Sequence, residues 1–453
     1  MAPAEPFHSD IEKGNPAPNL IIKGGLALTM TQEPMMISDA TIWVSGSRIT
    51  AIGNARDPAL KAPYEAEVID ARDSIILPGL INNHTHAAMT LFRGMADDLP
   101  LHQWLFENVF PAEERYLNDA SVYYGTLLAC LEMIASGTTC MADGYFFEDA
   151  VVRAVHEAGL RGLLAQGIID FPAPGIPDPK ENVERGREFI ERWRCFSPRI
   201  VPGVFCHSPV TCAAETLIHS MELSQEYQVP LQIHLSETAQ EVSDMVSRWG
   251  KRPAYYLDDL GLLNADLIAA HGVHMDDDEI ALIAERGTKL VHVPESNMKM
   301  GSGTARIMDM LKNGTIVGLG TDGPCSNNDL DLFCEMDSAA KLAKLADLDP
   351  TSLRALDALR MATIGGASVL GLQDQIGTLE KGKRADIITV DLNRPHLCPL
   401  YNPVSTLVYS ATGADVKDVV VDGKILMKDR RFMTLDSREV MTRVRQITEK
   451  IRA

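Results

Sequence analysis

The sequence predicts a (β/α)8 barrel, TIM-like, with a small β-sandwich domain formed by both chain ends. Three observations predict it. The middle of the chain alternates short apolar runs with longer helical patterns, as βα units do. Residues able to carry chemistry fall at the C-terminal ends of those runs, where barrels build their sites. A strand-rich, turn-punctuated texture opens the chain and returns near its end.

Residues 1–19 read as an N-terminal extension rich in proline, alanine and charge. No apolar run there is long enough for a signal peptide or a membrane span, so a cytoplasmic location is expected. Residues 20–75 hold the first part of the sandwich, in runs such as Ala40-Thr41-Ile42-Trp43-Val44 and Glu67-Val68-Ile69-Asp70. The barrel is expected over 76–372, with strands drawn at 75–83, 138–143, 161–169, 200–206, 231–235, 266–270, 289–293 and 315–320. Its first intervening helix has Asn118 as N-cap, Val122, Leu127, Leu128, Leu131 and Ile134 at helical spacing, and Gly137 to close it. Eight units in about 300 residues suit one barrel. An open doubly wound sheet is the alternative, but no G-x-G-x-x-G follows an early strand. Residues 373–453 supply the rest of the sandwich, around 385–390 and 416–426, and a C-terminal helix.

Composition narrows the function classes. The chain has 453 residues, enough for a large barrel and an accessory domain, with 45% hydrophobic and 23% charged residues as in soluble proteins. A formal charge of −20 repels polyphosphate, which argues against nucleic acid and anionic membrane as partners. The eight cysteines form no C-x-x-C pair and suit reduced thiols. A small-molecule partner remains, and a homo-oligomer stays open.

The strand ends read His84-Thr85-His86, His207, His234 with Glu237, His271, His292 and Asp322. Two imidazoles at i and i+2 of an extended chain project to one side and can share a cation. An H-x-H alone is a weak signal, but here it tips a buried strand. An Asp after an apolar strand is often only a cap; opposite three histidines in a barrel mouth it reads as a ligand. His84, His86, His234 and Asp322 are therefore the expected metal ligands, a set suited to zinc, with iron or another divalent ion open. One ion per chain is expected. Binuclear barrels commonly bridge with a carboxylated lysine on the fourth strand, and the only lysine between Cys140 and Gly250 is Lys180, away from any strand end.

The stretches Pro78-Gly79-Leu80-Ile81-Asn82-Asn83-His84-Thr85-His86 and 376–386 resemble the two ends of an amidohydrolase-superfamily barrel. Residues 84–98 (HTHAAMTLFRGMADD), Pro111-Ala112-Glu113-Glu114, His207-Ser208-Pro209, His234-Leu235-Ser236-Glu237-Thr238 and Gly320-Thr321-Asp322-Gly323 resemble the 5'-methylthioadenosine/S-adenosylhomocysteine deaminase family within it. The resemblance implies a zinc-dependent hydrolytic deamination of an adenosine derivative to the inosine derivative and ammonia. It implies Glu237 as proton shuttle to the purine ring, Asp322 as ligand and proton acceptor, and Glu113 and His207 as substrate contacts, Glu113 at the ribose. His271 should orient the attacking oxygen. Trp104, in the long loop after the first strand, reads equally as a cover over the base or as loop packing. His274 reads as structural, and His292 as core or pocket lining. Gln166 stands where some members carry an arginine for the homocysteine carboxylate, which favours methylthioadenosine or adenosine. The alternative is another mononuclear amidohydrolase, such as a guanine or triazine aminohydrolase or chlorohydrolase.

Overall fold

The computed structural model describes residues 18–33, 35–60 and 65–452, so most of the expected extension at 1–19 lies outside the described residues. The β-prone runs before the barrel form β1 (Leu20–Leu28), β2 (Met36–Ser45), β3 (Arg48–Asn54), β4 (Glu67–Asp70) and β5 (Ser74–Pro78). The barrel strands are β6 (Leu80–Thr85), β7 (Thr138–Tyr145), β8 (Arg161–Ile168), β9 (Ile200–Cys206), β10 (Leu231–Leu235), β11 (Leu267–His271), β12 (Lys289–His292) and β13 (Val317–Leu319). After it come β14 (Ile387–Asp391), β15 (Val416–Val421), β16 (Lys424–Lys428) and β17 (Arg431–Phe432).

The outer nine strands form one hydrogen-bonded sheet in the order β17-β16-β15-β14-β5-β1-β2-β3, with β4 also on β1. The two chain ends meet where β14 runs antiparallel to β5, Ile387 opposite Pro78 and Asp391 opposite Ser74. Its core draws Ile22, Ile42, Ile69 and Ile76 from one end and Ile387 and Val420 from the other. Neither half of the expected sandwich has a complete apolar core alone.

The expected first strand at 75–83 is two strands. Residues through Pro78 pair in the outer sheet and Leu80 opens the barrel. Gly79 makes the switch, because a Cβ there would lie 2.1 Å from the Thr139 hydroxyl oxygen. The barrel strands then follow in chain order, parallel throughout, from β6 to β13. β7 and β8 are buried along their whole length, as sheets covered on both faces require. The β13 to β6 gap is closed mainly beyond the strands. Asp322 N–H donates to the His84 carbonyl at 3.0 Å. Thr321 N–H donates to Asn82 Oδ1 at 3.1 Å, and Asn82 Nδ2 donates to Thr321 Oγ1 at 2.8 Å.

Helix Asp119–Ala135 starts on an Asn118 capping box, and Gly137 takes a left-handed φ of +87° after its C-cap. The segment after 372 divides its loyalties. Its strands join the outer sheet, whereas helix Pro403–Tyr409 packs on Leu332–Asp347 and helix Ser437–Arg452 packs on Asp119–Ala135. Buried Arg161, at the start of β8, pairs with Asp386 at 2.9 Å and so locks barrel to outer sheet. All eight cysteines are free. Among the described residues no helix is long and apolar enough to cross a membrane.

Candidate active site

Strand β6 delivers His84 and His86 on one side because alternate residues of an extended chain share a face. Thr85 between them turns the other way, and its hydroxyl donates to Asp143 Oδ1 at 2.5 Å, which also accepts from Ala87 N–H at 2.6 Å. The ends of β10 and β13 bring His234 and Asp322 to the same point. His84 Nε2 lies 3.2 Å from His234 Nε2 and 3.4 Å from Asp322 Oδ1, and His86 Nε2 lies 3.3 Å from that oxygen.

These atoms fit a metal ion. Ligands about 2.0–2.1 Å from a tetrahedral ion stand roughly 3.3 Å apart, and the four candidate ligand atoms all lie within 4.8 Å of one another. The ring orientations are set from behind. His86 Nδ1 donates to the Gly144 carbonyl and His234 Nδ1 to the His207 carbonyl, each at 2.7 Å, leaving both Nε2 lone pairs for a cation. Asp322 Oδ2 accepts from the Ser296 and Ser326 hydroxyls, each at 2.7 Å, which leaves Oδ1 facing the histidines. Burial holds the His84 imidazole down at about 4 and His234 well below its ordinary value, so both are neutral donors. For Asp322, burial is outweighed by the hydrogen bonds of His84 and His86, and its carboxyl stays far below the usual range.

His271 and Asp322 end their strands with φ of +75° and +61°. Side chains other than glycine adopt that region only under restraint, and such strain gathers at functional sites. His271 Nδ1 bonds Asn297 Oδ1 at 2.9 Å, and its Nε2 is 3.8 Å from Glu237 Oε2. Burial raises the Glu237 carboxyl above its ordinary range, against the pull of His271. The Glu237 turn is anchored by Glu241, whose carboxylate accepts the Ser236 N–H at 3.2 Å and the Glu237 N–H at 2.6 Å.

Beside these groups opens a cavity of about 720 Å³. His86, His234, Glu237, His271 and Asp322 line its floor, and the helical segment 101–116 contributes Trp104 and Glu113 to its wall. Glu113 is 3% exposed, accepts the Tyr145 hydroxyl, and is pushed up to about 7 by burial. His207 also lines the cavity, held through Nδ1 by Thr211 Oγ1 at 2.9 Å. Burial lowers its imidazole to about 3. Among the described residues no lysine or arginine lines the cavity, and Lys180 is exposed in a separate turn.

The structure therefore brings together His84, His86, His207, His234, His271, Glu113, Glu237, Asp322 and Trp104. It does not bring Gln166. That side chain lies off the cavity wall, with Oε1 accepting the Glu148 N–H at 3.4 Å, while Gly167, Ile168 and Ile169 line the cavity. Gln166, expected among the substrate contacts, does not line the cavity. His292 is buried outside the lining, and burial takes it down to about 3. His274 bonds the Ser302 carbonyl at 2.6 Å and only edges the cavity. Sequence reasoning missed Glu241, Ser296, Asn297 and Tyr145. Of these only Glu241 carries a local signal, a Thr-x-x-Glu pattern in which the Thr238 hydroxyl accepts the Glu241 N–H.

Fold and site together define a barrel protein with a His₃Asp metal-binding centre beside an acidic cavity. The chain belongs to the amidohydrolase family, whose profile matches residues 75–426. It is 46% identical over 432 residues to the 5-methylthioadenosine/S-adenosylhomocysteine deaminase 1 of Syntrophus aciditrophicus, covering 95% of this chain and 97% of that one. It is 44% identical over 437 residues to the 5'-deoxyadenosine deaminase of Methanosarcina mazei, covering 96% and 98%. Among solved structures, an adenosine deaminase from Xanthomonas campestris with bound zinc superposes with a TM-score of 0.93 at 38% identity, covering 96% of this chain and 100% of that one.

Proposed function

We propose that this protein is a zinc-dependent deaminase that converts the adenine amine of 5'-methylthioadenosine to the inosine derivative and ammonia. S-adenosylhomocysteine, 5'-deoxyadenosine and adenosine are secondary substrates. The observation that carries the reading is the pairing of the His₃Asp centre with Glu237 on the floor of a cavity whose wall holds the buried carboxyl of Glu113. The names of the relatives support an adenosine derivative. One ion, held by His84, His86, His234 and Asp322, supplies Lewis acidity and a water acidified to about pKa 7.

Glu237 delivers a proton to N1 of the purine, which concentrates electron deficiency at C6. Asp322 accepts a proton from the water whose oxygen bonds to C6, and returns it to the departing amine as ammonia. The remaining hydroxyl proton goes back to Glu237, leaving N1–H and a C6 carbonyl. His271, fixed through Asn297, orients the attacking oxygen by its Nε2. Glu113 accepts the ribose hydroxyls, His207 contacts the substrate, and Trp104 covers the base from the wall.

That no lysine or arginine lines the cavity among the described residues supports this order of substrates. A carboxylate tail buried without a cation costs several kcal/mol, whereas a methylthio group costs nothing of the kind. Free cysteines support a cytoplasmic location. The test is a deamination assay over methylthioadenosine, S-adenosylhomocysteine, 5'-deoxyadenosine and adenosine, with guanine and an aminotriazine alongside. The highest kcat/KM should fall to methylthioadenosine. Turnover of guanine or the triazine with no adenosine derivative consumed would overturn the reading.

A further inference from the structure

The two residues held in left-handed backbone at the site, His271 and Asp322, lie on different strands, β11 and the end of β13. Both are nevertheless gripped from one place. The six-residue helix Pro294–Lys299, directly after β12, presents Ser296 and Asn297 side by side. Ser296 Oγ donates to Asp322 Oδ2 at 2.7 Å, and Asn297 Oδ1 accepts from His271 Nδ1 at 2.9 Å. Both residues are 1% exposed. The helix is itself pinned at its end, where Lys299 Nζ bonds Asp97 Oδ1 at 2.7 Å, Asn328 Oδ1 at 2.8 Å and the Cys325 carbonyl at 3.1 Å.

The chemistry of each grip is specific. Asp322 Oδ2 accepts the Ser296 hydroxyl alongside that of Ser326, so Oδ1 is the oxygen left facing His84 and His86. A hydroxyl on the outer carboxylate oxygen also fixes the plane of the carboxylate. The Asn297 carbonyl oxygen accepts, so His271 carries a proton on Nδ1 and presents Nε2 to the cavity.

We infer that helix Pro294–Lys299 is a positioning element, in which Ser296 orients Asp322 for the metal and Asn297 fixes the tautomer and aim of His271. The Asn297 half rests on the deaminase reading, because it needs His271 to act on a reacting atom. The Ser296 half needs only that a metal binds at the His₃Asp centre.

Two measurements test the halves apart. Zinc affinity, read by competition with a chromogenic chelator in the absence of substrate, should fall about 10–100-fold in Ser296→Ala, the usual effect of removing such a partner. Steady-state kinetics of zinc-loaded Asn297→Leu on methylthioadenosine should show kcat reduced at least tenfold, with KM and zinc affinity within twofold of the parent. Asn297→Ala should behave alike if the leucine variant folds poorly, with melting temperature checking each. Unchanged zinc affinity in Ser296→Ala overturns the first half. A KM effect without a kcat effect, or unchanged kcat, overturns the second. If the parent deaminates no adenosine derivative, the deaminase reading fails while the chelator result still decides the Ser296 half.

Discussion

Replacing Glu113 by glutamine should weaken the substrate and strengthen the fold, two effects of opposite sign at one carboxyl. Glutamine keeps an oxygen for the Tyr145 hydroxyl and removes only the charge. Losing charge-assisted hydrogen bonds to ribose hydroxyls costs about 1.5–3 kcal/mol, or roughly 10–150-fold in kcat/KM at 1.4 kcal/mol per decade. A 2',3'-dideoxy analogue offers nothing to the carboxylate, so the penalty should vanish there. The fold responds differently. Glu113 has its pKa raised from 4.5 to about 7. Below pH 4.5 both folded and unfolded chains are protonated and the group is neutral in its effect. Between 4.5 and 7 the unfolded chain ionises first, so stability drains away; above 7 the loss is complete. At 1.36 kcal/mol per unit the full loss is about 3 kcal/mol, an upper figure because a cation at the nearby histidines favours the carboxylate. Glu113→Gln should therefore melt higher than the parent at pH 8, by a margin that shrinks at pH 5. Matched thermal scans at the two pH values read this directly. Equal margins at both, together with an equal kinetic penalty on the dideoxy analogue, would refute the placement of a buried, ribose-facing carboxyl.

Glu237→Gln should lower turnover by about a hundredfold or more, the range for general acid–base catalysis, with zinc retained on elemental analysis. His234→Ala should abolish both zinc and activity, and the parent should hold one zinc per chain; two per chain would contradict the single-centre reading. Asp386→Ala should cost up to about 3–5 kcal/mol, because it leaves Arg161, 2% exposed, only the longer contact with Asp422 at 3.4 Å. Denaturant unfolding of that variant measures the loss, and a change below 1 kcal/mol would mean the pair does not join barrel to outer sheet.

Most of the barrel was legible because its strands are apolar runs set between helical patterns, several of them followed at once by a polar residue. His84, His86, His234 and Asp322 could be picked out for that reason. Gln166 could not. β8 is buried on both faces, so no alternation of polar and apolar residues distinguishes the cavity side from the helix side. The first strand reads as one because Pro78 and Gly79 sit inside an otherwise apolar run; the pair marks the break, and the close approach of Thr139 to Gly79 fixes it there.

The sequence by itself determined the fold class, the ligand types and the acidic character of the site, because these depend on periodicity and residue chemistry along the chain. Tertiary structure alone decided which groups orient the ligands. Ser296 reaches Asp322 across 26 positions and Asn297 reaches His271 across 26, distances in sequence over which local pattern carries no information. It also decided that no described lysine or arginine lines the cavity, since both are common in the chain and only packing keeps those described off that wall.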